Sequence, residues 1–266
     1  MNYEKGLFQR TELLLGKEKM KKIASKKVII FGIGGVGSWC AESLVRTGIR
    51  HLTLVDSDRI CMTNINRQLP ATTKTIGEVK TEALKERLLE INPHAEIIAI
   101  QKIYSKDNEH LFDLSSYDYI IDAIDSLSNK IHLIRKATRT KSVFFSSMGA
   151  SLKIDPMRVQ VGEFWTVKGC PLAAMIRKKI KGGELPAKKF MCVYSDEVLQ
   201  NKGSGTSCGG DKCLCPKTKH GKGDPELEDH EWCSKKAKIN GTTAHVTAIF
   251  GFTLAGLVIK SIYGER

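Results

Sequence analysis

The sequence predicts an α/β protein built on a doubly wound, mostly parallel sheet with helices on both faces. Three observations predict it. Short apolar runs alternate with stretches of helical period from residue 27 to residue 147. The first run ends in Gly32-Ile33-Gly34-Gly35-Val36-Gly37, the turn that carries a chain from a strand into a helix that packs on it. The acids Asp56, Asp122 and Asp125 fall at the carboxyl ends of runs, the rim at which such sheets bind ligands.

Each element follows in order. Residues 27–31 form an apolar run without alternation, as expected of a buried parallel strand. The helix expected over 36–47 stops at Gly48. A second strand is expected over 52–55, with Asp56 just beyond it. Residues 79–91 carry Leu84, Leu88 and Ile91 at helical spacing and stop before Asn92-Pro93. Strands are expected over 96–100, 119–124 and 143–147, with a helix over 128–138 between the last two. The second half is less regular: strands over 159–165 and 189–194, and a helix over 171–181 with Pro171 in its first position. No period is sustained through 197–232, which is rich in Gly, Lys and Cys and reads as an irregular insertion. The final helix, 243–262, contains no Asp, Glu, Lys or Arg before Lys260. Asn240, Thr242, Thr243, His245 and Thr247 interrupt the uncharged stretch between Lys238 and Lys260, so a buried amphipathic helix is expected rather than a membrane span. The domain reading is one unit, 1–196 with 233–266, interrupted by the 197–232 loop.

With 266 residues the chain can bury a large core, and its mix of apolar and charged residues is that of a globular protein. The formal net charge of +13 points to a polyanionic partner such as nucleic acid. Residues 168–202 concentrate this charge, with eight Lys or Arg against three acids. The polar start carries no secretory signal, so the eight cysteines are expected to be thiols and the protein cytoplasmic.

The glycine turn implies a nucleotide, because open amides at a helix N-terminus attract phosphate. Asp56, about twenty residues on, suits a ribose hydroxyl. Arg67 and Lys80 narrow the chemistry. A triphosphate gathers negative charge during attack at phosphorus, and fixed cations stabilise that charge, whereas hydride transfer has no use for them. Asn64 suits a phosphate or the shell of a metal. Asp125, with Asp122, offers hard oxygens for Mg²⁺. Taken singly, Lys80 also reads as a solvated helix residue and Asp125 as a helix cap. Cys208, Cys213, Cys215 and Cys233 offer soft ligands for tetrahedral zinc, but in C-x4-C-x-C spacing rather than paired C-x2-C units, so free thiols are the stronger reading.

The ordered series Gly32-x-Gly34-Gly35-x-Gly37, Asp56-x-Asp58, Asn64-x-x-Arg67-Gln68, Lys80 and Asp122-x-x-Asp125 resembles the ubiquitin-activating (E1-like) adenylating superfamily, whose fold is Rossmann-like. Within it the match is to the tRNA threonylcarbamoyladenosine dehydratase family. It runs through residues 32–39, 46–49, 64–68 and 91–93, part of 143–150, then 154–156, 171–174, 192–195 and 247–252. The resemblance covers about residues 6–262 except the Cys-rich loop. It implies ATP and Mg²⁺ as cofactors, and Arg67 on the triphosphate. It also implies Lys80, Asn64 and the glycines at the phosphates, Asp56 and Asp58 on the ribose side, and Asp125 on Mg²⁺. It implies a homodimer in which Arg10 reaches the partner's ATP. The implied substrate is tRNA carrying threonylcarbamoyladenosine beside the anticodon, cyclised through an adenylated carboxylate, with no role for DNA or a membrane. The alternative within the superfamily is activation of a ubiquitin-like or sulfur-carrier protein. The absence of paired C-x-x-C motifs weighs against it.

Overall fold

In a computed structural model of the chain, residues 4–203 and 239–265 are described. Three helices come first: α1 (Glu4–Leu7), α2 (Gln9–Leu15) and α3 (Lys17–Ser25). The alternating body then runs β1 (Lys27–Phe31), α4 (Gly37–Thr47), β2 (His51–Val55), α5 (Lys80–Ile91), β3 (Glu96–Ile100), β4 (Tyr119–Asp122), α6 (Leu127–Ala137) and β5 (Val143–Ser147). It closes with β6 (Val159–Glu163), α7 (Pro171–Lys181), β7 (Met191–Ser195) and α8 (Ala244–Gly264). The strands form one seven-stranded sheet in the order β3-β2-β1-β4-β5-β7-β6. All neighbours are parallel except β6, which pairs antiparallel with β7 at the edge.

Strand residues alternate between two cores. Val28, Ile30, Leu52, Leu54 and Ile121 face α4, α5 and α8, while Ile29, Phe31, Val55, Ile120 and Phe144 face α6 and α7. Both faces of the sheet are therefore covered, which is why its central strands are apolar without alternation. The helix expected to be amphipathic, α8, is apolar on both sides. Val246, Phe250, Leu254, Val258 and Ile262 are fully buried against α4 and the sheet, while Phe252 and Tyr263 face outward. It is also long and apolar enough to cross a membrane by length and composition.

Two differences from the sequence reading matter. The N-terminal helices α1–α3 were not foreseen, because at 4, 7 and 9 residues they are shorter than the stretch over which a helical period shows. The run expected as a strand to residue 124 ends at Asp122, where the backbone turns away from the sheet. Cys40, Cys170 and Cys192 are free thiols. Cys208, Cys213, Cys215 and Cys233, and so the zinc reading, lie outside the described residues.

Candidate active site

The chain lays down β1, β2 and β3 toward one edge of the sheet and returns at β4 on the other side of β1. The reversal between β1 and β4 leaves a crevice at their carboxyl ends, and the loops after both strands meet there. Gly32 donates its N–H to Val55 O at 2.8 Å and has φ +88°, a left-handed conformation that a side chain would strain. A Cβ there would lie 2.6 Å from Ala123 O, and one on Gly37 would lie 1.9 Å from Gly32 O. The two loops thus touch through bare backbone. No side chain caps the N-terminus of α4, so its first-turn amides face the rim. Gly34 and Gly35 lie in this turn, with Gln68 and Thr247 respectively as their nearest side-chain neighbours.

Asp56 follows β2 and is tied to the glycine turn: its carboxylate accepts the Ile33 N–H at 2.6 Å and the Asp58 N–H at 2.9 Å. Burial pushes its pKa up, and the nearby Lys80 only partly offsets this. Lys80 opens α5. Its ammonium lies 2.6 Å from Asp58 and 4.0 Å from Asp56. The residue is 3% exposed, so the reading of Lys80 as a solvated helix residue does not hold. Burial opposes its charge, but Asp58, Asp56 and then Asp125 outweigh it and hold the pKa well above the usual lysine range. Asp125 is exposed, beyond β4, and close enough for its charge to act on Lys80.

Asn64 and Arg67 lie on the connection between β2 and α5. Asn64 is buried, and its amide oxygen accepts the Cys61 N–H at 3.0 Å, closing a short 3₁₀ turn, Met62–Asn64. The Arg67 guanidinium donates to Thr63 O and Asn66 Oδ1 at 2.9 and 3.1 Å. Trp39 of α4 donates to Arg67 O, and Asn66 donates to Thr242 O, which anchors the segment to the helix and to the loop before α8. Asp122 is not at the surface. It is fully buried, and its oxygens accept from Lys130 Nζ at 2.8 Å, Ser146 Oγ at 2.7 Å and the Ile124 N–H at 3.1 Å. It is committed to the protein interior, which corrects its placement beside a nucleotide or metal. Arg10 is exposed on α2, and its side chain makes no hydrogen bond or ion pair with the other described residues.

The arrangement brings together an uncapped helix N-terminus, a buried cation and an exposed acid, a combination suited to phosphate. Among the described residues no three His, Cys, Asp or Glu side chains cluster as a self-sufficient metal cage. A single exposed carboxylate still fits Mg²⁺, which is commonly held by one or two carboxylates with the phosphates and water completing its shell.

A family model described as "ThiF family" matches residues 8–266. The chain belongs to the ThiF family. Within that family it is 34% identical to the tRNA threonylcarbamoyladenosine dehydratase of Escherichia coli, over 97% of this chain and 94% of the relative. It is 37% identical to the Bacillus subtilis enzyme of the same name, over 71% of this chain and 74% of the relative. The E. coli dehydratase has been solved in complex with ATP; that structure matches with a TM-score of 0.79 at 30% identity, covering 98% of this chain and 96% of the other. The fold seen here is therefore the ThiF-family fold. An adenylyltransferase and sulfurtransferase of Drosophila virilis aligns over only 50% of this chain and 29% of its own length.

The residue that sequence reasoning missed is Lys130. It sits on α6 in line with Ile131, Ile134 and Ala137, all of them buried. A lysine on an apolar helical stripe was the available signal.

Proposed function

We propose that this protein is an ATP-dependent enzyme that cyclises N6-threonylcarbamoyladenosine in tRNA by adenylating its threonyl carboxylate. The observation that carries this is the buried Lys80, held charged by Asp58 and Asp56, with Asp56 bonded to the glycine turn that leads into the uncapped α4, and acted on by the exposed Asp125. A relative with known ATP binding that covers nearly the whole chain supports it.

In this reading the α4 amides and the bare turn at Gly34 and Gly35 receive the phosphates. Arg67 and Lys80 meet the charge that grows on the triphosphate, and Asp56 and Asp58 lie on the ribose side. Asp125 would hold Mg²⁺, which supplies charge neutralisation on the phosphate oxygens. A threonyl carboxylate oxygen attacks the α-phosphorus, and pyrophosphate leaves. The carbamoyl nitrogen then attacks the acyl carbon, loses its proton and expels AMP. The nucleoside has lost the elements of water, and the oxygen has left on AMP. Because the nucleophile is tethered to the electrophile, positioning supplies much of the rate and no protein thiol is required.

The tRNA would lie against the basic surface that includes the exposed Lys168, Lys178, Lys179, Lys181 and Lys189. The protein would work in the cytoplasm as a homodimer, with Arg10 free to reach a partner's site. Incubation with tRNA carrying the threonylcarbamoyl nucleoside, ATP and Mg²⁺ tests the proposal. The nucleoside should lose the mass of one water. An unchanged nucleoside, with pyrophosphate exchange stimulated only by a small carrier protein, would favour carrier activation instead.

A further inference from the structure

We infer that Lys130 is a positioning residue that sets the place of Asp125, acting through the backbone of Ile124. The inference rests on the nucleotide site proposed above. Lys130 is fully buried, and its ammonium makes two contacts: Asp122 at 2.8 Å and the Ile124 carbonyl oxygen at 3.0 Å. Asp122 in turn accepts the Ile124 N–H at 3.1 Å. One ion pair therefore holds both polar groups of Ile124, the residue immediately before Asp125. Ser146 on β5 donates to the same Asp122 oxygen as Lys130, at 2.7 Å, so the pair is anchored to the neighbouring strand as well. Between Asp122 and Ile124 sits Ala123, whose carbonyl oxygen would lie 2.6 Å from a Cβ on Gly32. The clamp thus fixes the turn against the glycine loop.

A buried ion pair is weak evidence of stabilisation, because desolvation offsets most of the attraction, and two well-packed apolar groups hold a fold as well. What such a pair does supply is a directed set of hydrogen bonds. Here they converge on one residue at the lip of the site, holding the peptide groups on either side of its Cα. Supporting groups of this kind, one step behind a metal-binding carboxylate, typically change metal affinity by about 10- to 100-fold when removed.

The test uses the full chain, a fluorescent ATP analogue and Mg²⁺. Two variants are compared with wild type: Lys130→Met, and the double variant Asp122→Asn with Lys130→Met, which leaves no unpaired buried charge. Thermal unfolding verifies that each folds. In EDTA both should bind the analogue as wild type does. In Mg²⁺ titrations both should need about tenfold more Mg²⁺ for half-saturation. A folded double variant with the wild-type Mg²⁺ requirement overturns the inference, since it shows that the pair serves folding alone. An equal loss of binding with and without Mg²⁺ also overturns it, because the pair would then shape the whole pocket. Should neither variant fold, Ser146→Ala decides: the inference requires its Mg²⁺ requirement to rise about threefold, and an unchanged value contradicts it. A wild-type protein whose affinity for the analogue ignores Mg²⁺ would instead sink the functional reading on which the inference rests.

Discussion

Burial works against the charge on Lys80, and the carboxylates of Asp58, Asp56 and Asp125 outweigh it. Its role in the fold and its role in the site cannot be separated by position, so its substitution should affect both. Lys80→Met leaves Asp56 buried without a counter-charge. It should lower the unfolding temperature by several degrees and reduce turnover by about 100-fold or more. Asp125 is exposed and Arg67 is half-buried on a loop, so Asp125→Ala and Arg67→Ala should separate the effects. Each should lower turnover by about 100-fold or more while the unfolding temperature moves by only about 2 °C. Parallel activity assays and melting curves check this, and normal rates in either variant would contradict the site assignment. Sequence spacing singled out these three residues as candidates. It did not reveal that Lys80 is buried, because a lysine opening a helix is usually solvated, and only the approach of two aspartates after β2 makes burial tolerable.

At the scale of elements, α4 joins the site to the rest of the molecule. Its N-terminus opens on the proposed nucleotide site, while its second turn carries Glu42, a buried carboxylate paired with Arg46 at 2.8 Å and with Arg87 of α5 at 2.6 Å. Burial tends to raise the Glu42 pKa, but the two guanidiniums outweigh it and hold the carboxyl below the ordinary range. A carboxyl with a depressed folded pKa contributes stability that is present above its unfolded pKa and lost as pH falls through the folded one. Glu42→Gln should therefore be less stable than wild type above about pH 5, and the two melting curves should converge as pH falls below about 4. Curves that stay parallel across that window would contradict the pairing. At the other end of α4, Gly37→Ala would press a methyl group onto Gly32 O and should abolish ATP binding, as measured by nucleotide titration. The boundaries of β1, α4, α5, β3 and β5 were legible within a residue or so, because apolar runs and stop signals agree there. The helices α1–α3 were not, since they are too short to show a period. The pairing of β6 was not either, since an edge strand's direction is set by its neighbour rather than by its own pattern.

For the whole molecule, the net charge of +13 suits a polyanionic partner that meets the face carrying it. Exposed Lys178 and Lys179 near the end of α7 belong to that face. Replacing both by Ala should weaken tRNA binding roughly uniformly and reduce the slope of log affinity against log salt by about 2, with ATP affinity unchanged. Filter-binding titrations at several salt concentrations measure the slope. The doubly wound topology was legible because strand and helix alternate, and the crevice between β1 and β4 follows from it. The clamp of Asp122, Lys130 and Ser146 was not, since it brings together a strand end, a helix and a second strand that only the folded chain juxtaposes. The account stands on a carboxylate made reactive by AMP. Threonylcarbamoyl tRNA labelled with oxygen-18 in that carboxylate tests it most directly: after reaction with ATP, one label should appear in AMP for each nucleoside cyclised. Label recovered in inorganic phosphate or in water, with none in AMP, would contradict it.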